Sequence, residues 1–222
     1  MSSSSCICIY HHHHHHSLIQ AMAKPHGCRT FGDYGETFNR SVTRHFGGNT
    51  KRVDIVFDRY LQGGDSIKSG TRAKRLNKKK PIRKQIDGPD VQLPQFWSQF
   101  IAMDENKADL AHFLSEMMLQ ENRDLPEEYE MVTGGGFRDH IGAKSTRRSV
   151  DDLNLNGNHE EADTRLILHA CDAANNGYQR ILVMSRDTDV MLLLLHFITP
   201  KVSEVWMIAG NARKPKFFPF IR

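Results

Sequence analysis

Residues His159 to Phe197 read HEEADTRLILHACDAANNGYQRILVMSRDTDVMLLLLHF, and this stretch decides the fold class. Ala162, Leu166, Ala170, Ala173 and Ala174 recur at helical spacing, and Asn176-Gly177 then supplies a helix stop. Ile181-Leu182-Val183-Met184 follows, too short for a helix and apolar at every position, as in a strand covered on both faces. Ser185-Arg186-Asp187-Thr188-Asp189 interrupts the apolar run before a second helical stretch from Val190 to Phe197. Helix, buried strand and helix in succession form the repeating unit of a mostly parallel sheet.

The same alternation extends outward. Cys6-Ile7-Cys8-Ile9-Tyr10, Val53-Asp54-Ile55-Val56-Phe57 and Val205-Trp206-Met207-Ile208 each read as a short strand. Phe31, Tyr34, Phe38, Val42 and Phe46 mark one face of a helix, and Leu110, Phe113, Leu114 and Met117 mark another, with Asn106 as its expected cap. The expected class is α/β, a mostly parallel central sheet with helices on both sides. Between Asp124 and Asn158 the pattern fades around Gly134-Gly135-Gly136, and the stretch reads as a long loop or insertion. No Gly-Lys-Ser/Thr follows the glycine triplet, so it is not read as a phosphate loop.

With 222 residues and 25.4 kDa the chain has the length of one large domain. Hydrophobic residues make up 39% and charged residues 25%, which excludes wholesale disorder. The apolar run from Val190 is broken at His196, far short of the roughly 20 residues that span a bilayer, so no membrane partner is expected. Four cysteines (Cys6, Cys8, Cys28 and Cys171) form no CxxC pair, and the expected setting is reduced and intracellular. Residues 1–17, with six histidines from His11 to His16, are read as a low-complexity segment or tag, and 18–222 as a single domain.

Charge is unevenly placed. The net +4 conceals nine basic residues and no acid between Ile67 and Lys84: Lys68, Arg72, Lys74, Arg75, Lys78, Lys79, Lys80, Arg83 and Lys84. The remainder carries 21 basic and 26 acidic residues, a balance of −5. Such a block is a solvated face, a localisation signal or a path for nucleic acid. The acids bear on the choice. Asp58 ends one strand, Asp187 and Asp189 follow another, and Glu160, Glu161 and Asp163 open the helix before it. In open parallel sheets the carboxyl ends of the strands form the ligand crevice, so the three groups can meet on one edge. Carboxylates so gathered repel one another unless cations neutralise them, and an all-oxygen donor set suits Mg2+ or Mn2+. Two such ions hydrolyse phosphodiesters by activating water and stabilising the leaving oxygen. Alternatively, Asp187 and Asp189 cap the following helix, and Glu160, Glu161 and Asp163 suit a helix dipole.

Val56-Phe57-Asp58, Ile67-Lys68-Ser69-Gly70 with Ala73-Lys74-Arg75, Glu161-Ala162-Asp163 and Ser185-Arg186-Asp187-Thr188-Asp189 together resemble the flap endonucleases and related structure-specific 5′-nucleases of the PIN-like superfamily. The resemblance spans about Ser17 to Met207 with gaps. It implies a Rossmann-like three-layer core and a divalent-metal-dependent nuclease acting on DNA or RNA. It implies metal roles for Asp58, Glu161, Asp163, Asp187 and Asp189, with Glu160 as the one-residue register alternative. It also implies a basic helix over the site, on which Lys68 and Arg75 draw the scissile phosphate toward two ions. Arg72, Lys74, Lys78, Lys79 and Lys80 are the remaining expected nucleic-acid contacts, and a nuclear location is expected.

The family's first carboxylate would fall near His13, and Arg222 is reached before the family's helical DNA-clamping motif and last metal-binding aspartate, so the chain reads as a divergent or truncated member. On those departures rests the alternative of a PIN-like protein that binds nucleic acid without cutting it. A phosphotransferase of the haloacid dehalogenase type, with Asp187 as nucleophile, would need a lysine and further acids well downstream, and only 33 residues follow Asp189. His159 and His169 read as solvent-facing or core histidines rather than ligands. Phe96-Trp97 and Phe217-Phe218 read as core, and Phe217 to Ile221 as the start of an incomplete element.

Overall fold

A computed structural model describes residues 5–12, 26–57, 81–138, 142–149, 153, 155, 162–185, 187–211 and 214–221. The described strands are β1 (Cys6–His12), β2 (Thr50–Phe57), β3 (Glu130–Gly134), β4 (Ala143–Ser145), β5 (Arg180–Met184), β6 (Glu204–Asn211) and β7 (Lys214–Ile221). The helices are α1 (Phe31–Thr43), α2 (Trp97–Phe100), α3 (Asp104–Glu121), α4 (Ala162–Asn175) and α5 (Thr188–Phe197). One seven-stranded sheet runs in the order β4-β3-β2-β1-β5-β6-β7. β3, β2, β1, β5 and β6 are parallel, and β4 and β7 are antiparallel strands at the two edges. The chain moves outward from β1 through β2 to β3, then returns to β1's other side for β5 and β6. β1 is therefore the switch point of a doubly wound sheet.

Alternation along β2 distributes the layers. Val53, Ile55 and Phe57 join Cys8 and Met131 against Phe31 and Phe38 of α1, Trp97 and Phe100 of α2, and Leu110, Leu114 and Met118 of α3. Val56, with Ile7, Ile9, Ile181 and Val183, faces Leu166 and Ala170 of α4 and Val190 and Leu194 of α5. The expected α/β class with helices on both faces is present. α1 begins where a capping box is satisfied: Thr30 Oγ1 accepts from the Asp33 N–H at 3.1 Å and Asp33 Oδ2 accepts from the Thr30 N–H at 3.0 Å.

Several expectations differ from the fold. Asn106 is not the cap of α3, because the helix starts at Asp104, with Met103 at the cap position. The Asn106 side chain is buried and fully engaged elsewhere. Its Nδ2 donates to the carbonyls of Ile82 and Phe100, both at 2.7 Å, and its Oδ1 accepts from Arg83 Nη1 at 2.7 Å and the Lys84 N–H at 3.1 Å. The stretch 124–158, expected as loop, contains β3 and β4, whose short apolar runs give little pattern. Phe217 to Ile221 belongs to edge strand β7, which pairs with β6 along its described length. Trp97 is core as expected, but Phe96 and Phe218 are exposed. His11 and His12 of the histidine tract belong to central β1, in register with Val56 and Phe57.

The glycine triplet marks close packing at the end of β3. A Cβ on Gly134 would come 2.5 Å from Nε2 of His169, and one on Gly136 would come 2.6 Å from the carbonyl of Ala111. Gly135, at φ +87°, adopts a left-handed conformation and lies against the Phe57 carbonyl and Arg165. Gly134→Ala is expected to lower stability by about 1–3 kcal/mol, the cost of overpacking a tight site. Urea unfolding checks this, and an unchanged midpoint would contradict the packing.

Candidate metal centre at the carboxyl edge of the sheet

Parallel strands align their carboxyl ends on one edge, and the chain direction fixes what lies there. β5 ends at Met184 and leads through Asp187 into α5, while α4 runs opposite to the strands and starts at this edge. Asp163 in the first turn of α4, and Asp187 and Asp189 at the start of α5, therefore share the edge. Asp163 and Asp187 are half-buried and Asp189 is exposed. Asp187 is the N-cap of α5: its Oδ1 accepts from the Asp189 N–H at 2.9 Å, and its own N–H donates to Ser185 Oγ at 3.2 Å. The capping role weighed from the sequence is thus present for Asp187. It does not exhaust the group, since an ionised carboxylate offers about four lone-pair positions.

Asp58, Glu160 and Glu161 lie outside the described residues, as do Lys68, Arg72, Lys74, Arg75, Lys78, Lys79 and Lys80. Among the described residues no group of three or more His, Cys, Asp or Glu side chains is placed to hold a metal ion. Asp163, Asp187 and Asp189 alone are thus not a complete ligand set. The donors they bring to the edge are oxygens, a chemistry that fits Mg2+ or Mn2+. Completing a centre there calls on residues outside the described part, and Asp58 follows Phe57 directly in the chain.

Beneath the edge lies a buried ionic network that sequence reading missed. On β2, Arg52 and Asp54 share the face turned to α4. Arg52 Nε and Nη2 donate to the two carboxylate oxygens of Asp54, both at 2.7 Å, and Nη1 donates to Asp172 Oδ2 at 2.6 Å. Arg148 donates to Glu130 Oε1 at 2.7 Å and to Asp172 Oδ2 at 3.1 Å. His169 Nδ1 lies 2.7 Å from Asp54 Oδ2. An ionised carboxylate only accepts, so Nδ1 carries the proton of that bond. His169 is a core histidine, in keeping with its sequence reading.

Burial alone would raise the Asp54 carboxyl, but the Arg52 guanidinium and the His169 hydrogen bond outweigh it and hold the group below the usual carboxylate range. Burial would likewise lower Arg52 and Arg148, and their carboxylate partners hold both above the ordinary value. The network orders α4 along a single stripe. Arg165, His169, Asp172 and Asn176 follow one another at intervals of three and four; Arg165 Nη1 donates to the Phe57 carbonyl at 3.1 Å, and Asn176 Nδ2 donates to Asp172 Oδ1 at 3.1 Å. The stripe attaches α4 to β2 from one end to the other, and so positions Asp163. Its sequence signal was Asp54 inside, and Arg52 just before, the apolar run of Val53 to Phe57, matched by His169 and Asp172 one helical turn apart.

No family model, no curated protein and no solved structure matches this chain. Among the described residues no helix is long and apolar enough to cross a membrane.

Two outcomes follow from the network. Asp54→Ala leaves Arg52 and His169 buried without their shared partner and is expected to cost about 3–5 kcal/mol in denaturant unfolding. A loss below about 1 kcal/mol, the scale of an exposed pair, would contradict the buried clamp. Because the folded Asp54 carboxyl is held low, its contribution is present above the unfolded value near about 3.9 and is lost as pH falls toward the folded value. The parent should therefore lose stability below about pH 4 more steeply than Asp54→Asn. Parallel pH profiles of the two proteins would count against this assignment.

Proposed function

We propose that this chain is a divalent-metal-dependent nuclease of the PIN-like, flap-endonuclease type that hydrolyses phosphodiester bonds in DNA or RNA. The observation that carries this reading is the strand order around β1, which brings the start of α4 and the β5–α5 junction to the same carboxyl edge where β2 ends. Residues distant in sequence, Asp163, Asp187 and Asp189, thereby share that edge with the strand that leads into Asp58. Two Mg2+ or Mn2+ ions bound there would supply an activated water and a counter-charge for the leaving oxygen.

The chain's own residues have separable tasks in this reading. Asp58, Asp163 and Asp187, with Asp189 and either Glu160 or Glu161, provide the oxygen ligands. Asp187 also holds the first turn of α5 through Oδ1, which fixes its orientation. Arg165 ties the start of α4 to the end of β2. Lys68 and Arg75 draw the scissile phosphate toward the carboxylates, while Arg72, Lys74, Lys78, Lys79 and Lys80 track the neighbouring backbone. A nuclear site of action accords with the basic run.

A second reading is binding without hydrolysis, favoured by the engagement of Asp187 as a helix cap. The two separate cleanly. In Mg2+ or Mn2+, the parent should cleave branched or single-stranded oligonucleotides, and Asp187→Asn should cut at least about 100-fold more slowly, a loss of about 2.7 kcal/mol in the transition state. Asparagine caps helices as well as aspartate, so thermal unfolding should be nearly unchanged. Equal cleavage by both proteins would refute the metal role of Asp187. Absence of cleavage by the parent, with salt-sensitive binding retained in EDTA, would establish the second reading.

A further inference from the structure

α3 begins at the same carboxyl edge, because it too runs opposite to the strands, and its first half carries a second charged assembly. Asp109 is buried, yet it accepts from two arginines of distant segments: Arg83 Nη2 donates to Oδ2 at 2.5 Å, and Arg138 Nη2 donates to Oδ1 at 2.6 Å. The two guanidinium groups flank one carboxylate, so the assembly retains an excess positive charge. Both arginine side chains remain open to solvent, at 41% and 56% exposure, while Asp109 is at 3%.

The assembly is held rigidly. Arg83 is fixed further by Nη1, which donates to Asn106 Oδ1 at 2.7 Å and to the Lys84 carbonyl at 2.9 Å. Arg138 follows the close-packed glycine triplet at the end of β3. Two arginines that served only to neutralise a buried acid would be one more than its charge requires. Two solvent-open guanidinium groups oriented on one carboxylate suit the recognition of phosphate oxygens. The cationic surroundings also act on His112: burial first, and then Arg138 and Lys144, help to hold its imidazole below the ordinary value.

We propose that Arg83 and Arg138, oriented by Asp109, form a phosphate-binding site for the backbone of a nucleic acid at the carboxyl edge, on the α3 side of the sheet. A polyanion is favoured over a single small anion because Arg83 and Lys84 close the block of nine basic residues. A strand that tracks that block is led in sequence to this site. The inference rests on the nucleic-acid reading above but not on hydrolysis.

The test is binding of a single-stranded oligonucleotide in EDTA across a salt series, where cleavage plays no part. Removing two phosphate contacts with Arg83→Gln/Arg138→Gln should make the dependence of log K on log salt shallower by about 1.4 and weaken binding at low salt. Arg123→Gln, an exposed arginine just past the far end of α3, should leave the slope unchanged. An unchanged slope in the double variant, or an equal change in Arg123→Gln, overturns the site while leaving the proposed activity standing. Failure of the parent to bind at all overturns both. The double variant deprives buried Asp109 of its partners and can misfold, so butanedione modification of the parent gives a second measure. Bound oligonucleotide should protect Arg83 and Arg138 several-fold by mass spectrometry, and equal modification with and without it overturns the proposal.

Discussion

The attachment of α4 to β2 through buried charge is the constraint on which the rest of the structure depends. Arg52 is wholly buried in the central part of the sheet, where an uncompensated cation would cost several kcal/mol, so its position requires Asp54 and Asp172 to be where they are. Apolar packing alone permits a helix to slide or rotate on a sheet at modest cost. A bidentate guanidinium–carboxylate pair with a third partner on the helix does not, because each displaced bond leaves a buried group unsatisfied. His169 on Asp54 and Arg165 on the Phe57 carbonyl extend the constraint along the helix to its first turns.

The consequences reach the carboxyl edge. Gly134 and Gly135 lack side chains where His169 and Arg165 pass close to the ends of β3 and β2, so the glycine triplet and the polar stripe of α4 fit each other. With α4 fixed, Asp163 has a defined place on the edge, across from the turn in which Asp187 caps α5. α3 contributes a separate charged assembly at the same edge, with Asn106 and Asp109 anchoring Arg83. Acids thus lie on the α4 and α5 side of the edge and two arginines on the α3 side; in the function proposed above the former would supply oxygen donors and the latter guanidinium groups for an anionic chain.

The sequence made part of this legible. β1, β2, β5 and β6 stand out because each contains a short, mainly apolar run, as strands covered on both faces do, and α1 and α4 show periodic apolar faces. β3 was hidden because only Met131, Val132 and Thr133 precede the glycines, and β4 is a three-residue edge strand with one apolar member. β7 was hidden because Pro215 and Pro219 break its pattern, a residue tolerated on an edge strand where ladder bonds are made on one side only. Asn106 was misread because its identity suits a cap, whereas its role depends on the Ile82 carbonyl, 24 residues away, together with that of Phe100. The shared edge of Asp163, Asp187 and Asp189 followed from chain direction, but the Arg52–Asp54–His169–Asp172 network did not. Its members look like isolated polar exceptions until the helix is laid on the strand.

The proposed function requires the carboxylates at this edge to act together on a divalent ion. Electron paramagnetic resonance of Mn2+ titrated into the full chain measures that uptake without reference to any substrate. The account predicts bound Mn2+ in the parent and at least about tenfold weaker uptake in Asp163→Asn, corresponding to about 1.4 kcal/mol. Absence of bound Mn2+ in the parent, or the same uptake in both proteins, would contradict it.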